Sequence, residues 1–496
     1  MELPVISMMI ALPAVGGVLA YLSGRVDQRL PKLVALVLVL AEGGLASLAY
    51  SAVIFSEGPF GLSSFVLQER YAWVNVFGQN FVSYHVGLDG LSGPLVLMAV
   101  FLTIMATVGS TFEIEEKQPS YYALMLFFVS AAVGVFTSLN LILFYFFWEI
   151  TLIPMFFFIG VWGGPNRRYA AVKFLLFTYA GSVAMLLGFL IVYFFTPGSS
   201  FDLLSLLNSD IPSWLQAAAS ALTFIGFGVK LPVFPLHTWL PDAHVEAPSP
   251  ISVLLAGLLL KMGGYGFLRF NLELFNRAAI NYSWAYISVG VITMFYGAIV
   301  ALMQRDFKRM VALTSINHMG FVLLGAFAGL AAGSVSYGIT GAIFQMFNHA
   351  FAIGAMFMLA GFVKHGAGTR DLKVLRGLRT ATPRMGAMLI LASLAAMGAP
   401  VFSSFLSEVM VLLSGITYSG WLWVAVLVPG ITAAYMLWML WRSVLSSPTQ
   451  GALYRDMTQR ETIYLIVYLV PLVVLLLAPS LILSPASQFA RAVAGG

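Results

Sequence analysis

Lys230 and Lys261 stand inside long uncharged stretches, whereas the other lysines and arginines fall between such stretches. A few acids and histidines share that apolar setting: Glu42, Glu149, His318, His349 and Glu408. Ionisable groups of both signs in such surroundings can do one kind of chemistry without any cofactor, which is to bind and release protons. Glu149 and Lys230 have opposite charges and can neutralise each other, while Lys261 has no second acid nearby in the sequence and needs hydration or an altered titration. That makes the pair a control on Lys261: when Glu149 and Lys230 separate, the freed positive charge disfavours a proton on Lys261. The bland alternative is a static ion pair beside a lysine that reaches for the membrane edge.

Histidine titrates near physiological pH and suits a relay, so His318 and His349 are candidates to carry protons onward from Lys261; each reads equally well as a hydrogen-bonded packing residue. No HExxH or comparable spacing surrounds them, which argues against a metal. Glu408, six residues before Ser414, suits an exit. His237 lies seven residues after Lys230, on the same helical face, and is a candidate uptake point for protons or a plain interfacial histidine. Glu42, beside Gly43 and Gly44, has no evident partner and reads as a packing residue.

The elements that must hold these groups are membrane spans. Of the 496 residues, 60% are hydrophobic and only 9% are charged. Soluble domains carry about 25% charged residues, so a soluble or disordered chain is excluded. Uncharged runs fall at roughly 3–22, 32–55, 88–110, 121–137, 140–160, 171–195, 216–240, 250–268, 284–303, 311–332, 338–363, 385–414, 421–444 and 461–484, fourteen in all. Nineteen of the 25 basic residues follow odd-numbered segments, and only Arg70, Arg269, Arg277 and Arg491 fall in the other loops and termini. The net charge of +5 therefore marks topology, with both termini outside, and not nucleic-acid binding. The first segment, with no basic stretch before it, is expected to be a retained span. With no cysteine, the chain offers no thiolate for an iron-sulfur cluster and no disulfide. Any redox centre belongs to a partner.

At 1.5 Å per residue, Lys230 and Lys261 lie roughly 16 Å deep and Glu149 about 18 Å, so three ionisable groups share one level near the midplane. His318 lies about 10 Å and His349 about 21 Å from the inner edge. Pro232 and Pro235 follow Lys230 and should break the seventh segment, and Gly398 and Pro400 should break the twelfth. Pro-Val-Phe occurs at 232–234 and again at 400–402, five segments apart. Two interrupted helices at an odd separation predict an inverted repeat, a transporter architecture.

Three motifs, FFWEITLIPMFFFIGVWGG around Glu149, LPVFPLHTWLPDAHVEAPSPISVLLAGLLLKMGGYG from Leu231 onward, and FNHAF around His349, closely resemble the antiporter-like subunits of respiratory complex I and related NDH-1-type complexes. The resemblance runs over roughly 85–445 and is strongest to the M type, the NADH dehydrogenase subunit 4 type. It implies an all-α polytopic membrane protein of about fourteen helices, broken at helices 7 and 12. The whole of 1–496 would be one membrane domain: helices 1–3 in about 1–110, a first repeat of helices 4–8 in 121–268, a second of helices 9–13 in 284–444, and helix 14 in 461–484. It also implies the roles of Glu149 and Lys230 as a pair, Lys261 as the central lysine, His318 and His349 as relays, and Glu408 as the terminal residue. That last position is usually lysine in sister subunits and in multisubunit cation antiporters, and glutamate in the M type.

Two positions depart from the family pattern: Asn317 stands where serine is common, and Val401 where glycine is usual. The function implied is proton translocation within a NADH:quinone oxidoreductase, with no redox centre on this chain. Flavin, iron-sulfur clusters and quinone are expected in partner subunits, and homologous antiporter-like subunits and lipids as neighbours, in a bacterial or archaeal inner membrane or alternatively a thylakoid. The rival is a subunit of a multisubunit Na+/H+ (Mrp-type) antiporter.

Overall fold

A computed structural model describes residues 3–56, 65–76, 79–334, 336–448 and 454–495. Among them, twelve continuous helices are long and apolar enough to cross a membrane: Val5–Ser23, Leu30–Ile54, Ser92–Ser110, Gln118–Thr137, Leu141–Trp162, Arg167–Phe195, Ser249–Leu274, Ser283–Leu302, Phe307–Ala331, Gly338–Ala367, Gly420–Leu445 and Gln459–Leu477. Two more spans come in pieces. The seventh runs through Ser213–Lys230 and resumes as Leu240–Glu246, and the twelfth is Pro383–Ala396 followed by Ser403–Tyr418. Counting both gives fourteen spans, and the two breaks sit at the two Pro-Val-Phe sequences.

Local chemistry accounts for the joints. The fourth and fifth spans, separated in sequence by only a few residues, are split by Asn140, whose side chain accepts from the backbone N–H groups of Ile142 and Leu143 and starts the fifth. In the seventh span the peptide groups freed by Pro232 and Pro235 find partners: Val233 N donates to Gly228 O (2.9 Å) and Phe234 N to the Thr293 hydroxyl (3.0 Å). In the twelfth, Gly398 takes a φ of +69°, which glycine adopts without penalty, and Ala399 N reaches Leu394 O at 3.0 Å. Irregular backbone at membrane depth persists only when satisfied in this way. Val401, at the departure from the family pattern, is 59% exposed and leaves the break intact.

Three spans form the centre. The eighth span and the apolar stretches of the tenth and eleventh are wholly buried by the rest of the chain, whereas only a third of the corresponding stretch of the first, second and fourteenth is. Glycines make that packing close: a Cβ on Gly263 would come within 2.6 Å of Leu231 N, so the eighth span lies directly on the last turn before the break in the seventh.

Three expectations need correction. Residues 66–76 and 79–88 are not plain loop but the two strands of a β-hairpin, β1 (Val66–Val76) antiparallel to β2 (Gln79–Leu88); residues 57–64, 77 and 78 of the same loop lie outside the described residues. The hairpin is tied to the first span, because Glu69 accepts from Ile6 N (2.8 Å) and Ser7 N (3.2 Å) at that helix's N-terminus. The last span ends at Leu477, and Ser480–Gly495 is a separate helix, since Ala478 leaves helical geometry and Pro479 follows it. Arg269 is no loop residue: the eighth span continues to Leu274, and the guanidinium is fully buried between Asp89 (2.7 Å) and Glu273 (2.6 Å).

Candidate functional site

The eighth span departs from α-helical winding twice, at Leu255–Leu259 and at Phe267–Leu274, where it forms π-helical turns. Wide turns of this kind displace carbonyls from their usual partners. Lys261 follows the first of them, fully buried, and its ammonium donates to Ala256 O at 2.7 Å. The same nitrogen lies 2.5 Å from Nδ1 of His349 on the eleventh span. The His349 ring meets the His318 ring edge to face, centroids 5.5 Å apart, and His318 Nε2 lies 3.8 Å from a carboxylate oxygen of Glu408. Lys261, His349, His318 and Glu408 thus form one buried file across the eighth, eleventh, tenth and twelfth spans. His349 is the neighbour of Lys261 and His318 lies beyond it, an order that helical depth alone does not give.

Protein partners do not satisfy this file. Nε2 of His349 and both ring nitrogens of His318 are buried without a hydrogen bond. Buried polar atoms of that sort are where ordered water belongs. Around Glu408 the backbone makes room, since a Cβ on Gly398 would stand 2.5 Å from its Oε2. The spans are pinned beside the file by Asn348, which donates to Ser407 Oγ at 2.9 Å and accepts from Ser403 Oγ at 2.6 Å. Asn317, the other departure, turns away from the file and donates to Thr432 on the thirteenth span at 2.7 Å.

Lys230 feels the charge of Glu149 without a direct contact between the two side chains. The fifth span has one irregular turn at Thr151, which keeps helical dihedrals, and the Lys230 ammonium packs against it, donating to Thr151 Oγ1 (3.1 Å) and Trp148 O (3.4 Å) with the Trp148 ring 3.6 Å away. No carboxylate oxygen of Glu149 comes within 4.0 Å of it, and Oε1 of Glu149 is buried without a partner. The cation is held by a carbonyl dipole, a hydroxyl and a π face, with Glu149 one residue away along the same turn. His237 is also buried, its ring 4.6 Å from that of Tyr296 and its Nδ1 without a partner. Glu42 is fully buried with both carboxylate oxygens unpaired, apart from the file.

Two residues escaped the sequence reading. His244, in the short helix after the first break, is fully buried, stacked 4.4 Å from Phe357, with neither nitrogen bonded. Lys308, assigned to a basic loop, is buried and donates to Ala247 O. Through that bond Lys308 reaches the end of the short helix that carries His244. The signal for His244 was available: a histidine inside a proline-rich break has a reason to face inward. Lys308 carried none, being one basic residue among three in its loop. Among the described residues, no cluster of three or more His, Asp or Glu is arranged to hold a metal.

Residues 138–433 match the family described as NADH:quinone oxidoreductase/Mrp antiporter, TM. NADH-quinone oxidoreductase subunit M of Rickettsia prowazekii is 37% identical over 96% of this chain and 95% of its own, and NAD(P)H-quinone oxidoreductase chain 4 1 of a Picosynechococcus species is 38% identical over 85% of this chain and 79% of its own. A chain of the Thermus thermophilus respiratory complex I structure superposes with a TM-score of 0.86 at 26% identity, covering 99% of this chain and 100% of that one. A chain of the Mrp complex from a Dietzia species gives 0.85 at 20% identity over 100% and 98%, a likeness of fold. On the length matched and the identity to these relatives, the chain is a multi-pass membrane protein that belongs to the NADH:quinone oxidoreductase/Mrp antiporter transmembrane family.

Proposed function

We propose that this chain is the proton-translocating, antiporter-like M subunit of a complex I-type quinone oxidoreductase. The single observation that carries the reading is the buried file Lys261–His349–His318–Glu408, four titratable groups in succession through the three innermost spans and the broken twelfth. Protons enter from the basic, cytoplasmic side by way of His237 or by Lys308 and His244, are held on Lys261, pass along the two histidines and bound water, and leave by Glu408. Lys230, with Glu149 beside it, sets the charge that Lys261 feels across the contact of the seventh and eighth spans. Moving one charge against 100 mV requires about 2.3 kcal/mol. That energy comes from electron transfer in partner subunits, which hold the flavin, iron-sulfur clusters and quinone. The membrane is the inner membrane of a bacterium or archaeon, with both termini on the outer side, and the neighbours are homologous antiporter-like subunits.

Glu408 supports this reading over a cation antiporter, whose chains usually carry lysine at that position. The test is purification of the native assembly: flavin and iron-sulfur proteins should accompany the chain, and quinone reduction in vesicles should acidify the outer side. An assembly free of redox proteins that exchanges Na+ for H+ would overturn it.

A further inference from the structure

The second π-helical stretch of the eighth span, Phe267–Leu274, lies outside the file and carries a charge cluster of its own. Tyr265, Arg269 and Glu273 follow Lys261 at intervals of four residues along that span. The Arg269 guanidinium donates to the Tyr265 hydroxyl (3.3 Å), to Glu273 Oε2 (2.6 Å) and to Oδ2 of Asp89, just before the third span (2.7 Å). Phe65 and Phe489 of the C-terminal helix cover it, each ring 5.2 Å from the guanidinium carbon. Two carboxylates therefore share one buried cation. No other cation lies within 4.0 Å of either among the described residues. The neighbouring elements offer none to spare: Asp202, before the short helix Leu203–Leu207, takes His85 (2.6 Å) and Arg70 (3.4 Å), Arg277 pairs with Asp210 (3.2 Å), and Asn271 donates to the Ser220 hydroxyl (2.8 Å).

We propose that this triad is a proton-binding site, with Glu273 as the group that takes the proton. With all three groups ionised the cluster holds one uncompensated negative charge away from water, and a bound proton removes it. The helix ends decide which acid is protonated. Asp89 precedes the N-terminus of the third span, and its Oδ1 accepts from Leu91 N (3.2 Å), Ser92 N (2.9 Å) and Ser92 Oγ (2.8 Å), donors that favour a carboxylate. Glu273 stands at the carbonyl end of the eighth span, where the helix dipole opposes negative charge, and it accepts one hydrogen bond, from Arg269. It lies one residue from the end of that span, at the opposite end of the molecule from the basic loops, so its proton exchanges with that side. The site is separate from the file around Lys261 and stands whether or not the file carries protons.

The test is infrared spectroscopy of intact membrane assemblies at neutral pH, in H2O and in D2O, carrying the natural chain, Glu273→Gln or Asp89→Asn. A protonated carboxyl absorbs apart from a carboxylate, and its band moves when the proton is replaced by deuterium. The natural chain should show a component of that band, shifted in D2O, which Glu273→Gln loses. Asp89→Asn should lose the same component, because Glu273 then has Arg269 to itself and ionises. Asparagine still accepts from the N–H groups of Leu91 and Ser92, so the start of the third span is kept, and this variant tests the site even where Glu273→Gln fails to assemble. A protonated-carboxyl band of natural size in assembled Glu273→Gln would overturn the inference by placing the proton elsewhere. Its retention in Asp89→Asn would overturn it too, because the proton would then owe nothing to the shared guanidinium.

Discussion

The Lys261 ammonium and Nδ1 of His349 lie 2.5 Å apart, although 88 residues separate them in sequence. A lysine donating to an imidazole nitrogen is poised to hand over its proton, and the recipient ring then carries the charge toward His318. The pair acts as a unit, so its two members should not contribute independently. Lys261→Ala and His349→Ala should each lower proton translocation tenfold or more, and the double variant should be no slower than the worse single one. Quenching of a pH-sensitive dye in vesicles measures this; multiplicative losses would mean the two residues work separately.

Gly398 and Glu408 form the second testable contact. A methyl group at position 398 meets the carboxylate at 2.5 Å and must also adopt a φ of +69°. Gly398→Ala should therefore destabilise the chain by more than about 1 kcal/mol and reduce translocation by displacing Glu408. Thermal unfolding of the assembly and the pumping rate check the two effects; a variant with natural stability and rate would refute the contact.

The seat of Lys230 predicts that its uncharged partner matters. Thr151→Val keeps shape and removes the hydroxyl 3.1 Å from the ammonium. A hydrogen bond to a charged group contributes roughly 2 kcal/mol, so the protonated form of Lys230 becomes harder to hold and pumping should fall several-fold. Thr151→Ser should restore it. Equal pumping by the valine and serine variants would remove the hydroxyl from the mechanism.

A pH effect is expected at the hairpin. Asp202 is buried, which would raise its carboxyl, but the His85 side chain at 2.6 Å, the charge of that ring and nearby Arg70 together hold it below the ordinary carboxylate range. A lowered folded value means the contribution to stability is fully present above the ordinary aspartate value of about 3.9 and disappears as pH falls through the lower folded one. Hydrogen exchange of β2 should accelerate in that acidic window in the natural chain. Asp202→Asn should exchange faster already at neutral pH and lose the acid-dependent step; identical profiles would exclude the contact as a stabiliser.

Much of the architecture was legible because membrane spans are read from unbroken apolar length, and the two breaks from Pro232, Pro235, Gly398 and Pro400. The hairpin escaped for the same reason: a search for twenty-residue runs passes over this loop, although Val66, Tyr71, Trp73, Val74 and Val82 are β-branched or aromatic strand formers. At the site, residue types and depth pointed to Lys261, His318, His349 and Glu408, but spacing along a helix cannot give side-chain direction. It could not tell that Lys230 leans on Trp148 and Thr151, or that His349 stands before His318. His244 and Lys308 are interior only because the break in the seventh span folds the chain inward, a tertiary effect.

The most direct measurement is proton translocation alongside donor-to-quinone electron transfer in membrane vesicles carrying Lys261→Ala or Lys261→Arg, the latter keeping a charge that does not leave. Proton translocation should collapse in both variants. Natural rates of pumping and of electron transfer in either one would contradict a proton route through Lys261.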